Sequence, residues 1–274
     1  MTTHSLEFIA FGLVARVIAS DAELLLEAAD GLPPGWRAHG DGPVSVTFGI
    51  TEDGKVTVNN GTVAATGSRD GGLFVLSGTI RHHLAEHAPD RVFIHAGVVA
   101  VGGAGIVIPG RSMTGKSTLV HALVRAGATY LSDEYAVVDP NGMIHPFPKP
   151  ISLRLDPTTS RLLPDASVPP EQIGTAPVPA RLIIATKFER DATWRPDLLT
   201  AGEAALALID NTVPARSRPG DSIAAATRLS GQALSLSGPR GDASVTAAAI
   251  LELAAGNGAD VTSKEAADRP AGEA

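Results

Sequence analysis

Hydrophobic positions along this 274-residue chain change period several times, and each change marks an element. Residues 5–20 (SLEFIAFGLVARVIAS) mix alternation with short apolar runs and predict one or two strands. Residues 21–30 carry Leu24, Leu25, Leu26, Ala28 and Ala29 behind Ser20 and Asp21, whose side chains can cap a helix start. A short helix is expected there, stopped by Pro33-Pro34-Gly35. Residues 43–50 and 55–58 alternate on either side of Asp53-Gly54, a tight-turn signal, and predict a hairpin. Gly71-Gly72 leads into the apolar run 73–76, and from Ser77 the period turns helical through Ile80, Leu84 and Ala88, ending before Pro89.

The middle of the chain is more apolar. Residues 91–101 (RVFIHAGVVAV) form a buried-type strand pattern, and Gly102-Gly103 turns it into a second apolar run, Ile106-Val107-Ile108. A helix-period segment then ends at Gly127, and residues 128–132 predict a short strand closing on Asp133-Glu134. Another strand is expected over 135–138, followed by a hairpin turn at 139–142 (DPNG). Residues 145–150 (HPFPKP) are rigid and extended, and 151–155 (ISLRL) predict a strand carrying Arg154, a candidate phosphate clamp or solvent-facing residue. Residues 156–180 hold six prolines and predict a long loop of the lid or substrate-recognition kind. A strand over 181–187, a capped helix over 200–209 with Glu203 near its start, and a final helix over 243–255 follow. Arg216 and Arg218 lie close together in the turn-rich stretch 213–221, a candidate anion site or a solvated turn. The tail after Gly256 has almost nothing apolar to bury and is expected to be disordered. Three parts result: a strand-rich region over 1–88, an α/β domain over 89–255, and a tail over 256–274.

Composition narrows the function classes. Hydrophobic residues make up 44% of the chain, ample for a core. With 29 acidic against 22 basic residues, only five of them lysines, the net charge of −7 argues against a general nucleic-acid binder. Cysteine is absent, which excludes disulfides and thiolate metal sites. The N-terminus lacks a basic segment followed by an apolar one, and no apolar run approaches the ~20 residues that span a bilayer. A cytoplasmic protein without a membrane partner is therefore expected.

The chemistry concentrates at residues 110–117, GRSMTGKS, a complete match to G-x-x-x-x-G-K-[ST] between an apolar strand and a helix. Gly110 and Gly115 allow the backbone to turn tightly and aim its N–H groups at phosphate oxygens, at a helix N-terminus whose dipole favours negative charge. Nucleotide phosphates are expected on Gly110, Arg111, Ser112, Met113, Thr114, Gly115, Lys116, Ser117 and Thr118. Lys116 would reach the β and γ phosphates, and Ser117 would offer its hydroxyl to Mg²⁺. Asp133 and Glu134 end a strand one helix later, where ligands gather in open α/β sheets. One carboxylate can hold Mg²⁺ while the other accepts a proton from an attacking hydroxyl. A competing pattern, His83-Leu-Ala-Glu86-His87, matches the H-x-x-E-H of inverted zinc peptidases, but offers no clear third ligand and reads better as the wet face of a helix. His95, inside an apolar run, reads by itself as a hydrogen-bonded core histidine.

Taken in order, His95-Ala-Gly97, GIVIPGRSMTGKSTL, GATYLSDEYAVVDPNG and HPFPKPISLR resemble the HPr kinase/phosphorylase-related family, over residues 90–155 closely and 180–253 more loosely. The resemblance implies a P-loop fold akin to phosphoenolpyruvate carboxykinase, ATP with Mg²⁺, and phosphoryl transfer to a serine hydroxyl. It places Gly110, Gly115, Lys116 and Ser117 on the phosphates and metal, His95 near the reacting phosphoryl group, Asp133 as general base and Glu134 beside the metal. Departures are Glu134 as the second acid, Thr118 where the bifunctional enzymes carry an acid, an unrelated region over 1–88, and no recognisable phosphorolysis signature. HPr itself is therefore not expected as substrate, and the chain is closer to shorter stand-alone relatives, with a homo-oligomer left open. The expectation is an ATP-dependent kinase for a hydroxyl of a peptide, protein or small molecule; the alternative is a nucleotide-binding regulatory module without transfer activity.

Overall fold

Alternation in the first twenty residues folds as a hairpin: β1 (His4–Ala10) pairs antiparallel with β2 (Leu13–Ala19), Ala10 opposite Leu13. This computed structural model describes residues 3–40, 42–111, 114–151 and 167–256. Phe8, Ala10, Leu13, Ala15 and Val17 are buried, one face of the period-2 pattern. The helix α1 (Ala22–Asp30) begins where Asp21 accepts a hydrogen bond from Leu24 N at 2.9 Å. It crosses between β2 and its parallel neighbour β4 (Val46–Ile50). With β3 (Arg37–Ala38), β5 (Lys55–Val58) and β6 (Gly61–Ala65) these form a six-stranded sheet in the order β3-β1-β2-β4-β5-β6.

The next helix, α2 (Arg69–His87), starts earlier than the apolar periodicity suggests. Ser68 caps it by accepting from Gly71 N, and residues 73–76 are helical. Gly72 serves close packing there: a Cβ on it would lie 2.6 Å from Gly54 Cα, so the helix rests directly on the β4–β5 turn. Leu76, Ile80 and Leu84 bury the inner face of α2 with Phe8, Phe48 and Val56 in one core.

The second sheet is larger. It contains β7 (Val92–Val101), β8 (Ala104–Pro109), β9 (Thr129–Ser132), β10 (Tyr135–Val138), β11 (Met143–His145), β12 (Val178–Phe188), β13 (Asp197–Leu198) and β14 (Leu234–Arg240). The main path is β11-β10-β7-β8-β12-β14-β13, with β9 also paired to β7. The α-helices among the described residues here are α3 (Lys116–Arg125), α4 (Ala201–Ile209), α5 (Pro219–Gln232) and α6 (Ala243–Ala254). The chain is thus of mixed α/β class. Two compact units divide it, one of residues up to Phe93 with Val213–Ser222, the other of Ile94–Thr212 and the residues from Ile223 on. No helix among the described residues is long and apolar enough to cross a membrane.

Strand direction decides where chemistry gathers. β8, β12 and β14 are mutually parallel, while β7 runs antiparallel to both β8 and β9. The carboxyl ends of β8, β9, β12 and β14 and the first half of β7 therefore emerge at one edge. Ala96 lies opposite Pro109 and Val98 opposite Ser132, which brings residues 95, 110 and 133 to that edge. Beneath it Val99, Ile106, Ile108, Leu119, Val120, Leu123, Ile184 and Ile250 form one buried cluster, with α3 packed beside α6.

Gly97 sets the spacing between α3 and the sheet, because a Cβ there would lie 2.4 Å from Val120 Cγ2. The extra methyl overpacks a fully buried contact. Gly97→Ala is expected to cost about 1–3 kcal/mol, read as a lowered urea midpoint.

α5 and β14 escape the apolar pattern, as do the short strands β3, β6 and β13. Small residues (Ala224, Ala225, Ala226, Gly231) blur the period of α5, and Gly238-Pro239 interrupts β14. Of the two turn arginines, Arg218 donates to the carbonyls of Ala88 and Arg91 and pairs with Asp221 at 3.6 Å, a structural pin for the chain crossing there. Arg154 and the tail after Gly256 lie outside the described residues.

Candidate functional site

The loop after β8 is shaped by its glycines. Gly115 has φ +84 in the left-handed region, and a Cβ on it would lie 2.5 Å from Arg240 Nη2. A Cβ on Gly110 would meet Thr114 Oγ1 at 2.8 Å. A side chain at Gly115 would therefore strain the loop, and one at Gly110 would displace the Thr114 hydroxyl. Gly115 also forms the N-cap of α3, with no side-chain hydrogen bond to the helix start and no acid in the first turn. By contrast Asp21, Ser68, Thr200 and Asp242 each cap their helices. The first turn of α3 thus has no side-chain cap. Lys116 curls back so that its Nζ donates to Arg111 O at 3.1 Å, and burial pulls its ammonium pKa down against the opposing pull of Asp133 and Glu134. Ser117 is half-buried in the same turn and Thr118 is exposed. Ser112 and Met113 lie outside the described residues.

Asp133 and Glu134 sit on the turn between β9 and β10. The Ser132 hydroxyl accepts from Glu134 N at 3.1 Å and from Tyr135 N at 2.9 Å, which fixes the turn carrying both acids. Asp133 is buried, its side chain 2% exposed, and Lys149 Nζ lies 2.8 Å from its Oδ1 and 3.9 Å from Glu134 Oε2. The Tyr130 hydroxyl faces Lys149 O at 2.8 Å and Asp133 Oδ1 at 3.2 Å, and burial pushes its pKa far up. Tyr130 therefore stays a neutral hydrogen-bond donor at this cluster.

The backbone of His95 links the parts. Its carbonyl accepts from Gly110 N at 3.1 Å, its N–H donates to Asn211 O at 2.7 Å, and the next N–H, on Ala96, donates to Glu134 O at 3.2 Å. Its half-buried ring lies 4.9 Å from that of Tyr135. His95 and Ala96 thus tie the loop after β8, the acid pair and the chain after α4 together.

Across the loop stands Arg240, 2% exposed and among the largest fully buried side chains. It donates to Gly115 O at 2.7 Å and Gly241 O at 2.9 Å, and burial lowers its pKa. On the other side of β12 a cleft of about 410 Å³ is lined by Pro109, Lys187, Asp210, Asn211 and Ser237 among others. It opens at the carboxyl ends of β8, β12 and β14, where an open parallel sheet takes its ligands.

All described candidates from the sequence, Gly110, Arg111, Thr114, Gly115, Lys116, Ser117, Thr118, Asp133, Glu134 and His95, belong to the same unit and to one end of its sheet. Lys149, Tyr130, Arg240 and Asn211 carry no motif. Only Lys149 left a trace in the sequence, being set between Pro148 and Pro150 in a segment unfit for a sheet.

The histidine motif on α2 is elsewhere, in the N-terminal unit. His83 stacks on His87 at 4.1 Å and meets Phe48 edge-on at 5.5 Å, while Glu86 accepts a hydrogen bond from Ser217. Among the described residues no three His, Asp or Glu side chains are grouped to hold a metal by themselves. Burial, helped by His87 and His82, lowers the His83 pKa to about 4. The folded protein resists a proton that the unfolded chain accepts near pH 6.5. This contribution to stability is therefore present above pH 6.5 and lost as pH falls towards 4. Discounted for a partly wet ring, the expected loss is about 1 kcal/mol. Urea midpoints of wild type and His83→Asn should converge on acidification.

No protein-family model matches the chain, and no curated protein matches it.

Proposed function

We propose that the chain is a phosphotransferase that moves the γ-phosphoryl group of a Mg²⁺-bound nucleoside triphosphate, with ATP as the expected donor, to a hydroxyl of a peptide, protein or small molecule. The observation that carries this reading is the convergence of a G-x-x-x-x-G-K-S loop, an uncapped helix start and an acid pair, Asp133 buried and Glu134 half-buried, at one end of a sheet. A phosphate-binding structure alone would not need the acids beside Lys116. In this reading the fold is of the HPr kinase and phosphoenolpyruvate carboxykinase-like P-loop type, and the sequence resemblance supports the same assignment.

The donor atoms suit the metal. The Ser117 hydroxyl and the Glu134 carboxylate would hold Mg²⁺, being hard oxygen donors of the kind it prefers, with the Asp133 carboxylate beside them. When bound, Mg²⁺ supplies charge neutralisation to the β and γ phosphates. Lys116 swings from Arg111 O to the phosphates, and the first-turn amides of α3 hold the same oxygens. Asp133 orients the acceptor hydroxyl and takes its proton. The hydroxyl oxygen bonds to the γ phosphorus as the bond from that phosphorus to the β–γ bridging oxygen breaks, and the nucleoside diphosphate leaves. Catalysis is then mostly positioning and electrostatics. Lys149 balances the acid pair, and the His95 backbone keeps the loop and the acids in register.

The test is label transfer from γ-³²P ATP with Mg²⁺ to serine-, threonine- and tyrosine-bearing peptides. Acid-stable label on a hydroxyl, lost in Lys116→Ala, is the expected result. Nucleotide binding without transfer to any acceptor would favour a nucleotide-sensing module instead.

A further inference from the structure

β12 ends with an aromatic ring that the core does not use. Phe188 is 52% exposed, and the chain has only seven phenylalanines. Its backbone N–H donates to Thr114 O at 3.2 Å, so the residue is tied to the phosphate-type loop itself. Its Cβ lies so close to Gly115 that a Cβ on that glycine would sit 3.3 Å away. The Arg240 guanidinium stands over the ring, Cζ 5.6 Å from its centroid, and the same arginine holds Gly115 O.

We infer that Phe188 is the stacking platform for the purine base of the bound nucleotide, an assignment that rests on the nucleotide reading above. An exposed aromatic beside a phosphate cradle has a use that the same ring in a loop elsewhere lacks, because phosphates anchored on Lys116 and the start of α3 hold the base nearby. The residue remains half exposed, open to that contact. The buried cation behind it draws electron density from the ring and favours an electron-rich purine on the open side. Arg240 thereby serves both ends of the nucleotide, through Gly115 for the phosphates and through Phe188 for the base. Stacking reads area rather than hydrogen-bonding edges. The site should accept ATP and GTP alike and bind CTP less well.

The test is equilibrium binding of Mg·ATP, Mg·GTP, Mg·CTP and Mg·tripolyphosphate to wild type, Phe188→Leu and Phe188→Trp. Phe188→Leu keeps apolar bulk and removes the π face. It is expected to weaken ATP and GTP by about tenfold, CTP by less, and tripolyphosphate not at all. Phe188→Trp should restore nucleotide affinity, with a fluorescence change on adding ATP that tripolyphosphate does not produce. Unchanged ATP affinity in Phe188→Leu would place the base elsewhere. An equal loss for tripolyphosphate would make the ring a prop for the loop. Either result overturns the assignment while leaving the nucleotide reading standing, since wild type still binds tripolyphosphate. If wild type binds neither tripolyphosphate nor nucleotide, the nucleotide reading fails and this one falls with it.

Discussion

Asp133→Asn is expected to slow phosphoryl transfer by about 10²–10⁴-fold while Mg·ATP affinity stays within a few-fold of wild type. The amide keeps the size and the Tyr130 contact of the carboxylate but cannot take a proton from an acceptor. Lys116, Ser117 and the amides of α3 remain to hold the phosphates, so binding should survive. Titration calorimetry and label transfer on the same preparation separate the two effects. If binding and transfer fell together, Asp133 would serve the nucleotide and some other group would be the base.

The second large effect is on stability. Lys149→Met leaves Asp133, with its side chain 2% exposed, without its 2.8 Å cation. Breaking a buried pair from one side strands a charge, at a cost of about 3 kcal/mol. The double variant Lys149→Met/Asp133→Asn removes both charges and should recover most of that loss. Urea midpoints of the four proteins give the coupling. Additive losses would mean that Lys149 contributes packing alone and that water already screens Asp133.

Much of this site is legible in the sequence because its parts are local. The strand, loop and helix around Gly110 and Lys116 occupy one continuous segment, and Asp133 follows one helix later. Period and motif reach that far. Lys149 is separated from Asp133 by two strands, and what makes it important is a 2.8 Å contact that no spacing encodes. Arg240 is more hidden still. It looks like a charge ending an irregular strand, and only tertiary packing buries it behind Gly115. The same limit applies to the fold. β1, β2, β5 and α4 follow their patterns closely, since each buries one face or carries a complete cap, and β8 does so as a continuous apolar run buried on both faces. α2 was foreshadowed only from its middle, because Gly71 and Gly72 look like a turn until Gly54 is packed against them. α5 was not foreshadowed at all, since its buried stripe of Ala225, Ala226 and Leu229 is barely more apolar than its outer face.

Phosphoryl transfer as proposed requires one arrangement: phosphates on the loop at 110–117, with the γ group facing Asp133. A crystal structure with Mg²⁺ and a non-hydrolysable ATP analogue tests it directly and needs no knowledge of the acceptor. This arrangement predicts β and γ phosphates against Lys116 Nζ and the first-turn amides of α3, the metal on the Ser117 hydroxyl, and the γ group beside Asp133. A nucleotide bound away from Lys116, or with its γ phosphate turned away from the acid pair, would contradict it.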